Sequence, residues 1–474
     1  MENKPKELAE DLFPLLMSSI EKFHWYDSRP GHPNFIFGRL EFRKRIDPAL
    51  AEEAWKIALG RQPLAGVQPE KIKRRWHWAP GVDSEVGRSG VIKGSFNYQG
   101  FKSLPEAWDF EGCELGVALS CHLEIRAGNF QGASEELHEA SVDGLTMVYF
   151  AVHHSISDGA GAILVVNEWL AIYFNLEAGR VAATGLQRLE FERLRTRNHL
   201  GILSWSYLKH FFQQPVALFG ATKFIFRKSL DLTAQKDVAD GSTRLYPTII
   251  GHWVDAAAVG GLNRESCRLG VTFNSILLGR LFVSLAKFMA RDGGDHRKDW
   301  LRIILPISLR GMSDRRMPAA NKTTIVQLDR RVDGHSEADS FYQNLDREIR
   351  IIRGWQLDKI FLICIRLLAI VDPLLRQVAG SRKSRGTVVF TNLGEPFRKL
   401  LKSRSKLNCE VIEQFDLVGP VREGTPLNYT VARHGDRLRV SLHYDASVFS
   451  AKRAEELLET YVSELHRDSS CEAN

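Results

Sequence analysis

Apolar and polar positions along the chain switch repeatedly between a period of about two and a period of about 3.6 residues, so strands and helices alternate. Phe35 to Phe42 reads as a strand, and Asp47-Pro48 then opens a helix to Gly60, with Asp as N-cap and Pro in the first turn. Val117 to Arg126 and Leu145 to Val152 are strands by the same pattern. The second is apolar on both faces and therefore central in a sheet. A helix follows from about Ala160 to Phe174, and between Glu177 and Arg197 the apolar density falls and charges accumulate, which marks a linker. A second block begins with a strand at Tyr246 to Val254 and a long helix that Thr272 caps and Gly293-Gly294 ends. Strands at Leu301 to Ile307 and Thr323 to Asp329 come next. Ser336 with Asp339 resembles a capping box for a helix through Ile352. Gly386 to Thr391, Val411 to Asp416, Leu427 to His434 and Leu438 to Tyr444 complete a strand-rich end, the last two as a hairpin around Gly435-Asp436. Ser450 caps a final helix to about Leu465. The pattern is α/β: blocks at residues 1–178 and 245–468, connecting segments at 179–244, and a tail at 469–474.

A membrane span needs about 20 mostly apolar residues. The strongest candidate, Ile360 to Leu375, is interrupted by Arg366, Asp372 and Pro373, and reads as a buried or interfacial helix. Trp205 to Lys228 mixes aromatics with Lys209, Lys223, Arg227 and Lys228, which predicts a helix packed on the protein, with a membrane surface as the alternative. The charged start, MENKPKELAEDLF, lacks the apolar run of a secretory signal. Six cysteines in 474 residues, without a C-x-x-C pair, exclude a disulfide scaffold and predict a reducing, cytoplasmic setting, with membrane association as a variant. A net charge of +7 favours anionic partners. The basic runs Arg43-Lys44-Arg45, Lys71 with Lys73-Arg74-Arg75, Arg382-Lys383 with Arg385, and Arg398-Lys399 through Lys406 read as solvated faces, so no nucleic-acid partner is expected.

The chemistry concentrates in Met147 to Asn167, MVYFAVHHSISDGAGAILVVN. A buried strand ends in His153-His154, a short turn carries Ser155, Ile156 and Ser157, and Asp158-Gly159 opens a helix. Adjacent strand residues point to opposite faces, so the two histidines cannot share one pocket. His154 lies on the side of Val152 and Phe150, and His153 faces the other way. One imidazole is free to reach a substrate while the other supports the backbone or packs. A neutral histidine, with a pKa of about 6.5, suits proton abstraction from a hydroxyl or amine attacking an acyl carbon. Such a base needs no covalent acyl-enzyme when both substrates are held together. Asp158 has three roles open to it: capping the helix, binding an arginine, or holding the turn. Asp-Gly before a helix is ordinary turn chemistry, but two histidines directly after an apolar strand and just before it are far less expected by chance. No Cys, His or carboxylate cluster completes a metal site, and none is expected. Gly334-His335-Ser336 fails as a serine-hydrolase elbow at Ala338, and no phosphate loop or strand-linked G-x-G-x-x-G is present.

Here the sequence resembles a known family. His153 to Gly159 matches the HHxxxDG signature of the CoA-dependent acyltransferase superfamily, which includes chloramphenicol acetyltransferase, the condensation domains of nonribosomal peptide synthetases, and the bacterial wax ester synthase/diacylglycerol acyltransferases. Arg61-Gln62-Pro63-Leu64 resembles the "RHPLL" run, and Asn274-Ser275-Ile276-Leu277-Leu278 the "NDVLL" helix start, with Ser for Asp. Leu305-Pro306-Ile307-Ser308-Leu309-Arg310 followed by Asn321 is similar to "PVSLR…N", and Val389 to Gly394 to the late "SN-x-G" strand. The DFGWG motif of the plant enzymes is absent, Phe415 to Gly419 being its nearest counterpart.

The resemblance implies two chloramphenicol-acetyltransferase-like halves, each a two-layer α+β sandwich, forming a V with a central tunnel. Donor and acceptor would enter from opposite faces and meet at His154, the implied general base, with the Gly159 amide at the oxyanion. His153 and Asp158 would support the site, Asp158 paired with Arg310. Asn321 would line the tunnel floor, and Thr391 and Asn392 would lie on the strand crossing between halves. Arg382, Lys383 and Arg385 are candidates for the phosphates of CoA or a phosphopantetheine arm. The implied activity is acyl transfer from an acyl-CoA or carrier-bound thioester, as co-substrate, to a small-molecule alcohol or amine, without a bound cofactor. An acyl or peptidyl carrier protein would act in trans on a monomer, with peripheral membrane contact allowed for. The alternative is a non-catalytic carrier-protein- or lipid-binding module of the same fold.

Overall fold

The computed structural model describes residues 12–29, 31–44, 46–80, 121–127, 146–198, 227–232, 246–291, 299–332, 338–398 and 412–467. Val117 to Ser120, most of Trp205 to Lys228, Gly293-Gly294, Ser336, Lys399 to Lys406 and the tail at 469–474 lie outside the described residues. In chain order the strands are Leu15–Leu16 (β1), Phe35–Phe42 (β2), Val67–Ile72 (β3), Arg75–Pro80 (β4), Cys121–Ala127 (β5), Thr146–His153 (β6), Thr248–Val254 (β7), Trp300–Ser308 (β8), Thr323–Arg331 (β9), Val388–Asn392 (β10), Ile412–Val418 (β11), Leu427–His434 (β12) and Arg437–Tyr444 (β13). The helices are Ser19–Asp27 (α1), Pro48–Gly60 (α2), Gly159–Glu177 (α3), Ala256–Leu269 (α4), Phe273–Arg291 (α5), Asp339–Gly354 (α6), Ile360–Leu368 (α7), Asp372–Ala379 (α8) and Ala451–His466 (α9).

Every residue of β6 is buried, as an inner strand with an unbroken apolar run must be. It lies antiparallel between β2 and β5, in a four-stranded sheet of order β11-β2-β6-β5. The helices α2 and α3 share that sheet's core, Trp55 meeting Trp169 edge-on at 6.4 Å and Trp169 Nε1 donating to the Ala51 carbonyl at 3.1 Å. Asp47 caps α2 by accepting the Leu50 N–H at 3.0 Å, with Pro48 at the first helical position. A small sheet, β1-β4-β3, flanks this half.

The second half is built on a six-stranded sheet of order β7-β13-β12-β10-β8-β9, mixed because β10 runs parallel to both of its neighbours. Residues of α4, α5, α6 and α9 join the sheet in one apolar core. Thr272 starts α5, its Oγ1 accepting the Ser275 N–H at 3.2 Å, and Ser450 caps α9. Gly435, at φ +63, turns the hairpin between β12 and β13.

Several elements differ from the sequence reading. The strand that joins the two halves is β11, which lies between 245 and 468 in sequence yet pairs with β2 of the first sheet. Thr391 and Asn392 are not on a crossing strand, because β10 is an inner strand whose two edges are taken by β8 and β12. The helix α6 starts at Asp339 behind Ala338, and Asp339 pairs with Arg268 at 2.8 Å. The apolar run from Ile360 breaks into α7 and α8, with Pro373 in the first turn of α8. Leu362, Ile365 and Leu375 pack against Ile20 and Phe23 of α1, while Leu367, Ile370, Val371 and Leu374 are exposed.

Candidate active site at the seam between the two sheets

β6 ends by delivering two imidazoles to opposite sides, as the strand period requires. His153 is fully buried, with Nδ1 2.7 Å from Ser155 Oγ, Nε2 3.1 Å from Ser28 Oγ, and its ring edge-on to Phe35. With both nitrogens engaged, it is a post that holds the strand end to the close of α1. His154 remains partly exposed. Its N–H donates to the Asn34 carbonyl at 2.8 Å, and its carbonyl accepts from Asn321 Nδ2 at 2.7 Å. Asn321 Nδ2 also lies 3.3 Å from the ring Nδ1.

The His154 ring stacks flat on His24 of α1, with centroids 3.9 Å apart and planes 5° from parallel. Burial pulls the His154 pKa below the usual histidine value, and backbone acceptors at His154 and Ser157, together with Asp158 and Asp27, offset only part of that pull. Burial also takes His24 well below its usual value, helped by His154, His153, Arg385 and Arg422. Both rings are therefore neutral at pH 7, which is what lets them stack without repulsion.

Asp158 is fully buried at the start of α3. Its Oδ1 accepts the Gly161 N–H at 2.9 Å, which makes it the N-cap. Its Oδ2 accepts from Arg310 Nη1, from the Lys322 N–H at 2.8 Å and from Thr323 Oγ1 at 3.0 Å. Burial alone would raise this carboxyl, but the Arg310 guanidinium and the backbone donors hold it below the ordinary carboxylate range. One side chain thus fastens the motif of the first half to residues 320–323 of the second. Gly161 permits the approach: a Cβ there would stand 2.2 Å from Ser157 Oγ and 3.3 Å from the Ala320 backbone. Gly159 is the first residue of α3, so its N–H has no intrahelical acceptor. Gln62 adds a second strap, donating to Glu168 on α3 at 2.8 Å and accepting the Ala319 N–H at 2.6 Å.

No protein-family model and no curated protein matches the sequence. Solved structures match it along nearly its whole length. The first condensation domain of the calcium-dependent antibiotic synthetase, in complex with substrate analogue 2a, is similar at a TM-score of 0.66 and 15% identity, over 97% of this chain and 98% of that one. The epimerization domain from the third module of tyrocidine synthetase B gives 0.61 and 12%, over 96% and 97%. The X-domain from teicoplanin biosynthesis gives 0.61 and 14%, over 98% and 96%. The chain has the fold of these condensation and epimerization domains.

Within this fold the residues singled out in the sequence separate into two groups. His153, His154, Asp158, Gly159, Arg310 and Asn321 come together at the seam. Asn392 instead donates to Asn274 at 3.0 Å, tying the end of β10 to the start of α5, and Thr391 lies beside it, partly exposed. Arg382, Lys383 and Arg385 do not form one patch. Arg382 has its side chain 79% exposed and Lys383 is exposed, but Arg385 turns inward onto the Val378 and Ala379 carbonyls at 2.7 and 2.9 Å. Burial, with Arg422 and Arg29 nearby and Asp27 opposing, pushes the Arg385 guanidinium down to about 9. Among the described residues, no group of His, Cys, Asp and Glu could hold a metal ion.

The sequence reading missed His24, Asn34 and Ser28. Its available signal was Ser18-x-x-Glu21, a capping box that fixes the start of α1 and so the face on which His24 sits.

Proposed function

We propose that this protein is an acyltransferase that moves an acyl group from a thioester, on CoA or on a carrier protein, to a hydroxyl or amine. The observation that carries the reading is one neutral, partly exposed imidazole, His154, braced from both halves at the start of a helix. In this reading the accepting lone pair is on Nε2 and the ring proton on Nδ1; Asn321 Nδ2, which can only donate, gives its hydrogen to the His154 carbonyl at 2.7 Å rather than to Nδ1 at 3.3 Å. In the proposed step the acceptor's proton moves to Nε2 as its oxygen or nitrogen bonds to the thioester carbon. The oxyanion so formed is stabilised by the unpaired Gly159 N–H and the positive end of α3. On collapse the C–S bond breaks and the imidazolium returns its proton to the thiolate. Asp158 makes no contact with substrate in this scheme and keeps the turn in place. The similarity to a condensation domain in complex with a substrate analogue supports a reaction of this class.

The test is product analysis by mass spectrometry after incubating the protein with acyl-CoAs and acyl-carrier proteins together with alcohols and amines. An acylated acceptor that requires His154 is expected. Thioester binding without transfer to any acceptor would overturn the reading in favour of a binding module.

A further inference from the structure

Beside the stacked histidines lies a group of arginines that the proposed chemistry does not use. Arg29, Arg382, Arg385 and Arg422 surround Asp27 and Glu423, four cations against two carboxylates. Arg422 Nη2 is 3.0 Å from Asp27 and 2.9 Å from the Ser381 carbonyl. Arg385 is 3.9 Å from Asp27 and lies 4.7 Å over the ring of Phe23. Glu423 takes the outer pair, Arg29 at 3.2 Å and Arg382 at 3.4 Å. Two of the donors on Arg422, Nε and Nη1, are buried without a hydrogen-bond partner among the described residues.

These arginines are positioned rather than adrift. Gly424, at φ +80, lets the loop after β11 press onto residues 382–384, where a Cβ would stand 2.8 Å from the Arg382 carbonyl oxygen and the Ser384 nitrogen. On α1, Phe23 and His24 lie four and three residues before Asp27, so each neighbours it on the helix surface. This turn of α1 carries the ring stacked on His154 and the carboxylate that meets Arg385 and Arg422. The cationic cluster is therefore next to the reacting centre. A buried guanidinium with free donors is costly unless an anion meets it, and its planar fork matches a carboxylate or phosphate.

Resting on the function proposed above, we infer that one substrate carries a carboxylate or phosphate close to its reacting atom, held by Arg422 and Arg385 beside the His24–His154 stack. The phosphate of CoA or of a carrier arm does not meet this description, because it is many bonds removed from the thioester carbon. Two sources do meet it: an anionic acceptor, such as a hydroxy acid, and an acyl group that ends in a carboxylate.

The experiment is a ligand-dependent shift in melting temperature, read on the full chain and on His154→Ala, which separates binding from turnover. The probes are 3-hydroxybutyrate for an anionic acceptor, monomethyl succinate for an acidic acyl group, inorganic phosphate, and methyl 3-hydroxybutyrate as the neutral control. At least one anionic probe is expected to raise the midpoint saturably in both proteins, and its identity names the source. Arg422→Gln should weaken that probe at least about tenfold. Arg422→Lys keeps the charge beside Asp27 but loses the free fork, and should weaken it as well should the Gln variant not fold. No anionic probe binding better than the neutral ester, or equal binding to a folded Arg422 variant, overturns the inference. Because His154→Ala is still expected to bind, the anion site is tested even in a protein that lacks acyl transfer.

Discussion

His154 and Asp158 are both held away from their ordinary titration ranges, in directions that serve opposite ends: the proposed base kept neutral and a carboxylate kept charged. A base works only unprotonated, and His154 is lowered below 6.5. The pH profile of kcat/KM for acyl transfer is thus expected to be flat from neutrality upward and to fall only in acid, with its midpoint below 6.5. A midpoint above about 7 would contradict the environment described for the ring. For Asp158 the folded value is depressed, so its contribution to stability is present above the unfolded carboxyl range and is lost as pH falls through the lower folded value. Asp158→Ala strands Arg310 and is expected to cost about 3 kcal/mol along with activity, read as a drop in denaturation midpoint. An unchanged midpoint would remove its structural role. At this scale the sequence was most legible where the chemistry is contiguous, as in His153 to Gly159. Arg310 was legible through its own motif. His24 was not, because only tertiary packing brings α1 against the end of β6.

Local rules predicted many of the elements that surround the site. Asp47-Pro48, Thr272 and Ser450 start helices because each offers a side-chain oxygen to an orphan backbone N–H, a choice made within a few residues. The run from Ile360, read in the sequence as interrupted by Arg366, Asp372 and Pro373, breaks at residues 369–371, where Pro373 lacks the N–H that would carry the helix ladder back to the Ala369 carbonyl. The start of α3 gives the sharpest test of how elements meet. Gly161→Ala puts a methyl group against Ser157 Oγ and the Ala320 backbone, where the two halves touch. The expected cost is about 1–3 kcal/mol of stability, measured by urea denaturation, with a parallel loss of transfer activity. A variant as stable and active as the wild type would mean that the contact between α3 and residues 320–323 is loose.

For the whole molecule, sequence periodicity separates two blocks but does not say which sheet a strand joins. The pattern of β11 suits either sheet, and its pairing with β2 depends on a free edge in the other half. What secures the crossing is Asp416, fully buried, 2.5 Å from Arg39 on β2, 2.9 Å from Arg439 on β13 and 2.7 Å from Ser441 Oγ. Burial opposes its charge, but the two arginines hold its carboxyl far below the ordinary range. Asp416→Asn would leave both guanidiniums under-compensated, and a loss of about 3–5 kcal/mol in unfolding free energy is expected. A cost under about 1 kcal/mol would show that the crossing is secured by apolar packing instead. The architecture matters because it makes one site out of two halves, with His154 from one braced by Asn321 from the other. The most direct measurement of that claim is the single-turnover rate of acyl transfer by His154→Ala beside the wild type, with melting temperature as the control for folding. The prediction is a rate at least about 100-fold lower at an unchanged melting temperature. A folded His154→Ala that transfers within about threefold of the wild-type rate would contradict it.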